Sequence, residues 1–379
     1  MSWEAGFASA VITPPVPVRL AGFSDRTEPA TRVHDDLEVR AVWLSDGTRS
    51  ACLLVLDLLG MSQEYSTPVR DAIAGDLGID PEAVLTAATH THNGPNAIRG
   101  GELLGWAIPE GYAELLVERC RAAAVAARAA AEPATLHAAT ASLPEGLSLN
   151  RRELPYDPRF SVLDVRTTGG DRIGTVANVS IHPVVLGSPW LEVSADWVAP
   201  FRAALEAGGG GTAILLSGPL GDVNPVEHHT DVPTHLAEAV AEAADLGAAV
   251  ADAVLEAREA AEPVSGPLAV ASRSLTVSPG ATTLAGLLGV GEIAVELVEW
   301  AIGGVRLVSV PGEPFHALGR RIEDARPGVT LIAGLAPVWS GYLPEPYGEG
   351  YEETVSLGPD AVREISEAVV AGAFQEASR

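Results

Sequence analysis

The hydrophobic pattern of the chain alternates short apolar runs with longer segments of helical spacing. A short apolar run bounded by turn residues is typical of a buried strand. We predict strands at residues 38–44, 51–56, 83–88, 161–165, 173–181, 212–216, 268–277, 305–310 and 329–332. The turn residues 45–47 between the first two predict a hairpin or adjacent strands.

Three segments place apolar residues at helical spacing, and each ends at a helix-stopping residue. We predict helices at 67–77 before Gly78, at 111–131 before Pro133, and at 234–261 before Pro263. Strands and helices alternate without a low-complexity linker. The chain is therefore predicted to be one α/β domain over residues 1–379, with a large mixed β-sheet core flanked by helices.

The charge balance is strongly acidic, with 50 Asp and Glu residues against 24 basic residues and a net charge of −26. Nucleic acid and an anionic membrane surface would both be repelled, so we expect neither as a partner. Every basic residue is arginine. Schiff-base, pyridoxal-lysine and P-loop chemistry are excluded, because each requires a lysine amine. The glycine run 208–211 accordingly predicts a surface turn.

Cysteine use and the N-terminus bear on the compartment. Cys52 and Cys120 lie in an apolar run and a helical segment, which is typical of buried hydrophobic side chains. The first 15 residues lack the pattern of a signal peptide, and no run of about 18 apolar residues predicts a membrane helix. We expect a soluble cytoplasmic protein and leave a homo-oligomer open.

Side chains with metal-binding chemistry follow several predicted strands. His90 and His92 come directly after one strand, and His182 ends another before a proline. Glu313 follows a third through a Pro-Gly turn, and Tyr342 lies in a strand-to-loop passage. Each residue alone also fits an ordinary structural role. Their recurrence at strand ends favours one site at a sheet edge, where imidazoles are common zinc ligands.

Nearly the whole chain resembles the catalytic domain of the neutral/alkaline non-lysosomal ceramidase family. The matching motifs occur in family order at residues 12–15, 21–23, 34–37, 40–41, 88–95, 150–151, 182–183, 221–225, 311–313 and 339–359. The resemblance implies a ceramidase-like α/β fold and hydrolysis of an amide bond.

In that family a single zinc ion is held by two histidines, a glutamate and a tyrosine. The matching metal ligands here are His90, His182, Glu313 and Tyr342. The resemblance thus implies one Zn²⁺ per chain, in a ligand set that leaves room for a water molecule. Zinc lowers the pKa of such a water to about 7, which makes hydroxide available for attack on an acyl carbon.

The resemblance also implies roles for residues beside the metal. His92 would orient the nucleophile or shuttle a proton, and Tyr351 would donate a hydrogen bond to the oxyanion. Arg151 would contact polar groups of the substrate, although a structural ion pair is an equal alternative. Asp222 is placed with it in the substrate-binding set, where it would orient a ligand or a loop amide. A turn role for Asp222 is the alternative.

The chain departs from the family pattern at several points. Asn224 stands where ceramidases carry a serine, so a serine nucleophile is excluded there, while the amide can still hydrogen-bond substrate in catalysis. We expect this protein to lack the immunoglobulin-like C-terminal domain and the signal peptide of the secreted ceramidases. We therefore expect a small soluble N-acyl compound as substrate. The short spacing from Tyr342 to Tyr351 predicts a reshaped pocket mouth.

Alternatives to an amidohydrolase follow from the same residues. An esterase, a lactonase or an acyl-transfer enzyme would use the same metal and oxyanion donors. A metal-binding or ligand-binding protein without catalysis is the alternative of a different class. His228, His229 and His235 form a second histidine group, which predicts either substrate or metal binding or a polar loop before the long helix.

Overall fold

The computed structural model describes residues 2–226 and 236–374. The helices in this part are α1 (Gln63–Leu77), α2 (Tyr112–Ala129), α3 (Val198–Ala207), α4 (Leu236–Glu259), α5 (Leu284–Leu287), α6 (His316–Asp324), α7 (Tyr351–Val355) and α8 (Pro359–Ala371). The strands are β1 (Trp3–Val11), β2 (Arg32–Val33), β3 (Glu38–Ser45), β4 (Ser50–Leu56), β5 (Val84–Ala88), β6 (Glu132–Ser142), β7 (Ser148–Asn150), β8 (Arg159–Thr167), β9 (Arg172–Val179), β10 (Glu192–Val193), β11 (Thr212–Ser217), β12 (Val223–Pro225), β13 (Glu262–Val264), β14 (Leu268–Val277), β15 (Ile293–Ile302), β16 (Val305–Ser309), β17 (Glu313–Pro314), β18 (Thr330–Ala333) and β19 (Tyr342–Leu343).

The largest element of the fold is a nine-stranded mixed sheet. Its order is β11-β9-β8-β6-β1-β3-β4-β5, with β13 paired to β6. The pairs β11/β9 and β4/β5 are parallel, and the other pairs are antiparallel. β3 is buried along almost its whole length, on both faces. The continuous apolar runs in the sequence therefore reflect a sheet covered on both sides.

Four layers result from this burial. One face of the large sheet packs on α1, α2, α3 and α4 in a single apolar core. Its other face packs against a four-stranded sheet of order β14-β15-β16-β18. The outer face of that smaller sheet is covered by α6 and α8. The predicted mixed α/β class is confirmed, with the sheets sandwiched between helical layers.

The strands predicted from apolar runs are confirmed within one or two residues, and β14 matches its prediction at both ends. β3 and β4 are adjacent and antiparallel, as predicted. α1 begins at Gln63, four residues before the predicted start, with Pro68 inside the helix. α2 is slightly shorter than predicted, and α4 ends two residues before its predicted end, while its predicted first two residues lie outside the described part of the chain. β1, β6, β15 and the helices α3, α6 and α8 were not predicted.

The ends of several strands meet at one edge of the molecule. Ser217, the last residue of β11, donates a hydrogen bond to the carbonyl of Thr89 just after β5, at 3.0 Å. Asn178 near the end of β9 joins the two sheets, because its amide bonds both backbone groups of Ile332. The segments that follow β5, β9 and β16 therefore converge on one region.

Two further sequence expectations concern the cysteines and membrane spans. Cys52 and Cys120 are both buried free thiols, in agreement with their predicted packing role. Among the described residues, no helix combines the length and apolar character needed to cross a bilayer.

Candidate metal centre

The first histidine loop begins where β5 ends. The backbone N–H of Thr89 still donates to Leu56 O at 2.8 Å, and that of His90 donates to Leu58 O at 2.9 Å. His90 then adopts a left-handed backbone with φ of 70°. A non-glycine residue in this region is strained, and such residues cluster at functional sites. The strained backbone turns the His90 ring out of the strand direction.

Backbone carbonyls fix the orientation of two imidazole rings. His90 Nδ1 lies 2.5 Å from Leu59 O, and His182 Nδ1 lies 3.1 Å from Val223 O. A carbonyl accepts only, so both Nδ1 atoms carry the hydrogen and both Nε2 atoms present a lone pair. The two lone pairs are thereby available to a shared centre.

Glu313 lies between the two rings and is bound asymmetrically. Its Oε2 is 3.2 Å from His90 Nε2 and 3.4 Å from His182 Nε2. Its Oε1 instead accepts a hydrogen bond from the indole nitrogen of Trp339 at 2.7 Å. All three centre residues are about 2% exposed. One carboxylate oxygen therefore faces the histidines, while the other is held by the tryptophan.

The spacing of these atoms fits a metal ion. His182 Nε2 and Glu313 Oε2 are buried without a hydrogen-bond partner among the described residues. Two ligand atoms about 2.0–2.1 Å from a tetrahedral zinc ion are about 3.3–3.4 Å apart, which agrees with the distances around Oε2. Two neutral nitrogens and a carboxylate oxygen are also a zinc-like donor set. The residues present fit a divalent ion.

His92 supplies a third imidazole at the same point. Its Nε2 is 3.4 Å from His90 Nε2, and the ligand atoms of His90, His92 and His182 all lie within 4.8 Å of one another. Its Nδ1 is buried without a partner among the described residues. Phe23 contacts the ring edge-on, with centroids 4.9 Å apart. The three histidines thus form a buried group that could bind a metal.

Tyr342 and Tyr351 stand next to the carboxylate. Strands β17 and β19 are parallel and pair Glu313 with Tyr342. The hydroxyl groups of the two tyrosines are hydrogen-bonded to each other. The Arg151 guanidinium lies over both rings, 5.6 and 5.8 Å from their centroids. The structure therefore brings Arg151, Tyr342 and Tyr351 together, next to Glu313.

Comparisons with known proteins give matches among solved structures. No protein-family model matches the sequence, and no curated protein matches it. Neutral ceramidase from Pseudomonas aeruginosa matches with a TM-score of 0.87 and 18% identity, over 100% of this chain and 75% of that chain. A ceramidase complexed with C2 matches with a TM-score of 0.84 and 18% identity, over 100% and 76% of the two chains.

The chain has a neutral ceramidase fold. The predicted resemblance is confirmed at that level, because an identity of 18% shows the fold alone. The ceramidase fold joins the motif-bearing loops at one sheet edge, where the buried histidines lie. Their chemistry must be argued from the side chains.

Burial sets the protonation of this centre within the ceramidase fold. It lowers the pKa of His182 from 6.5 to about 4 and lowers the pKa of His92 well below its usual value, with His90 adding to the shift in His92. Burial opposes ionisation of Glu313, but His90 and His182 outweigh it and hold the pKa well below 4.5. At neutral pH the His92 and His182 rings are therefore neutral and the Glu313 carboxylate is ionised.

Asp222 lies beside the centre and is occupied by the protein itself. Its carboxylate accepts hydrogen bonds from Asn150 Nδ2 at 2.6 Å and from the backbone N–H of His316 at 2.7 Å. Its backbone carbonyl accepts from the N–H of Arg151 at 2.9 Å. Asp222 thus ties together three segments around the site, which agrees with orientation of a loop amide.

Asn224 lies on β12, one residue beyond the carbonyl that holds His182. Its Oδ1 is buried and has no hydrogen-bond partner among the described residues. An unpartnered amide oxygen can accept a hydrogen bond from a bound ligand.

The Arg151 guanidinium donates a hydrogen bond to Gly221 O at 2.6 Å and forms an ion pair with Glu352 at 3.0 Å. The alternative ion pair of Arg151 is therefore present in the structure.

Sequence reasoning missed the buried arginine that holds the histidine loops. The Arg26 guanidinium donates to His92 O, to Asn93 Oδ1 at 2.6 Å and to Gly187 O at 2.9 Å. Asn93 in turn donates to Asp196 at 3.2 Å. No local pattern identifies Arg26, since these three partners lie 66, 67 and 161 residues away. The second histidine group at positions 228, 229 and 235 lies outside the described residues.

Proposed function

We propose that this protein is a zinc-dependent amidohydrolase that cleaves an amide bond of a small soluble N-acyl compound. The observation that carries the proposal is the position of Glu313 Oε2, 3.2 and 3.4 Å from the Nε2 atoms of His90 and His182. This spacing is that of ligands around one tetrahedral ion. The ceramidase fold supports the choice of amide chemistry.

We assign the metal ligands as His90, His182, Glu313 and Tyr342. A bound zinc ion would supply Lewis-acid polarisation and an acidified water to this set. We include Tyr342 in this set because it pairs with Glu313 across β17 and β19. His92 is left outside the ligand set, because a histidine with a free, neutral nitrogen serves proton transfer.

His92 and Tyr351 carry the proposed proton and hydrogen-bond steps. The lowered pKa of His92 keeps its ring neutral, so it can take a proton from the nucleophile and return it to the leaving nitrogen. Partial burial raises the pKa of Tyr351, so its hydroxyl stays protonated and can donate to the substrate's acyl oxygen. Such a donor is typically worth about 3 kcal/mol of activation free energy.

Arg151, Asp222 and Asn224 complete the proposed substrate site. The Arg151 guanidinium would bind a polar group of the substrate beside the tyrosines. Asp222 would position that arginine through its backbone carbonyl, 2.9 Å from the Arg151 N–H. The free Oδ1 of Asn224 would accept a hydrogen bond from a substrate N–H, which an ester substrate lacks.

The net charge of −26 supports a soluble substrate over a lipid in an anionic bilayer.

The test begins with metal content, measured by elemental mass spectrometry on protein purified without chelator. We expect about one zinc per chain in the parent and none in His182→Ala. His137→Ala is the matched control, because this ring lies on β6 and contacts Thr135 instead of the centre. N-acyl amines and N-acyl amino acids are then screened for release of the free amine, with matched esters alongside.

Absence of metal from the parent after zinc is supplied would contradict the proposal. So would zinc that is retained in both His182→Ala and Glu313→Ala. If the zinc-bound protein hydrolysed the esters in preference to every amide, the proposed metal centre would stand. The proposed activity would then be that of an esterase and not of an amidohydrolase.

A further inference from the structure

A group of three arginines lies at the far end of the large sheet from the metal centre. Arg172 begins β9, and Arg166 and Arg258 lie near the ends of β8 and α4. The eight residues of β9 separate Arg172 from the segment that carries His182, a distance of about 25 Å. We call Arg166, Arg172 and Arg258 the arginine cluster.

Carboxylates neutralise only part of this charge. Asp164 is fully buried, accepts from Arg166 Nε at 2.6 Å and lies 3.4 Å from Arg172 Nε. Glu259 accepts from Arg172 Nη2 at 2.5 Å, but its side chain is 68% exposed. The contacts found for the cluster thus balance three guanidinium groups with two carboxylates, one of them largely in solvent.

Arg258 is the member that forms no ion pair among the described contacts, although Asp164 and Glu259 lie near enough to act on its charge. The residue is 1% exposed, yet its Nε and Nη1 have no hydrogen-bond partner among the described residues. Its Nη2 reaches Gly208 O only at 3.5 Å. A buried donor left unsatisfied is destabilising, and more so when the group is charged. Burial and the neighbouring Arg172 lower the pKa of Arg258 below its usual value, and Asp164 and Glu259 offset only part of this shift.

The guanidinium groups of Arg258 and Arg172 both lie beside Gly209, and that of Arg258 packs directly on its backbone. A Cβ placed on Gly209 would lie 2.0 Å from Arg258 Nη2 and 3.9 Å from Arg172 Nη1. These two nitrogens are therefore at most about 6 Å apart. One oxyanion can contact two donors at this separation, since each charge-assisted bond is about 2.8 Å long. Like charges this close also favour an anion between them.

We propose that the arginine cluster binds a small inorganic oxyanion of the size of phosphate or sulfate, held chiefly by Arg258 and Arg172. Planar guanidinium groups match the oxygens of such an ion and are less strongly hydrated than ammonium groups. The 1% exposure of Arg258 selects a free ion over a phosphate ester with a bulky alcohol. The anion supplies an acceptor to the Arg258 guanidinium, which the described residues leave without a partner at Nε and Nη1.

The test is a titration with inorganic phosphate at constant ionic strength, with sodium chloride as the balancing salt. Binding is followed by calorimetry and by the midpoint of thermal unfolding. We expect phosphate to raise the midpoint of the parent above the chloride baseline, as a ligand of the folded state must. Arg258→Met and Arg172→Met should each weaken phosphate binding at least tenfold. Arg363→Met, at an exposed arginine paired with Asp360, should bind like the parent.

Arg172→Met keeps the test decisive if Arg258→Met does not fold, because the Arg172 side chain is nearer the surface, 17% exposed. Glycerol 2-phosphate should produce no rise in the midpoint, since the ester does not fit a shielded site. The proposal is overturned if phosphate gives the parent no rise beyond chloride. Equal binding by the parent and Arg172→Met, or an equal rise with the ester, would overturn it as well.

Discussion

The indole N–H of Trp339 donates a hydrogen bond to Glu313 Oε1 at 2.7 Å. This bond decides which carboxylate oxygen is available, because it leaves Oε2 alone facing His90 and His182. The indole also packs beside Gly60, where an added Cβ would lie 2.8 Å from the Trp339 Cβ. Trp339 therefore affects the centre indirectly. It fixes the orientation of the Glu313 carboxylate so that only Oε2 faces the two histidines.

Trp339→Phe tests this positioning. The ring volume is largely kept, but the donor is lost, so Glu313 can rotate, and we expect zinc affinity to fall about 10- to 100-fold. The measurement is competition with a chelating dye, which needs no substrate. Trp190→Phe is the matched control, because Trp190 is buried and its Nε1 has no partner among the described residues. Equal zinc affinity in the two variants would show that the hydrogen bond is irrelevant.

The role of His92 distinguishes two models of the centre. As a proton-transfer group it is dispensable for metal binding, and as a third nitrogen ligand it is required. We expect His92→Gln to keep about one zinc per chain and to lose at least about 10²-fold in hydrolysis rate. His90→Gln should lose both the bound zinc and the hydrolytic activity. Metal content and turnover on the same preparations give the answer, and loss of zinc from His92→Gln would make His92 a ligand.

The strands that lead into the histidine loops could be predicted from the sequence, because their signal is local. His90 follows an apolar run that is buried on both faces as β5, and His182 stands just beyond β9. The apolar runs persist in the sequence because both sheet faces are covered. Elements with weaker patterns were missed. β1 carries alanine, glycine and serine, and its place between β3 and β6 depends on pairing with distant strands.

Other parts of the centre depend on contacts that no local pattern encodes. The bond from Trp339 to Glu313 spans 26 residues, and that from Arg26 to the His92 carbonyl spans 66. The rotation of each imidazole is likewise set by single carbonyls such as Leu59 O. These contacts form only when the two sheets have packed, so three-dimensional packing had to supply them.

The lowered pKa of His182 predicts how metal-free protein responds to acid. The folded pKa is about 4 and the ordinary value is 6.5, so between these values the unfolded chain binds a proton that the folded chain does not. Stability should therefore fall as the pH is lowered from about 6.5 to about 4. Urea midpoints of chelator-treated parent and His182→Gln, measured over this range, should converge toward low pH. Midpoints that stay parallel would contradict the assignment.

Two helical glycines predict opposite effects of the same substitution. Gly247 in α4 lies against α3, and a Cβ there would be 2.6 Å from Phe201 N and 2.8 Å from Trp197 O. Gly75 in α1 is exposed, and a Cβ there meets nothing within 4 Å. Gly247→Ala should destabilise the protein by about 1–3 kcal/mol, because backbone atoms must move apart. Gly75→Ala should stabilise it by about 0.5–1 kcal/mol, because alanine is the better helix former.

Urea unfolding of both variants beside the parent measures the two effects, and the expected midpoints lie on opposite sides of the parental value. Since the chemical change is identical, helix propensity cancels between the variants and the difference reports the close contact of α3 with α4. A midpoint for Gly247→Ala at or above that of Gly75→Ala would mean that these helices separate without cost.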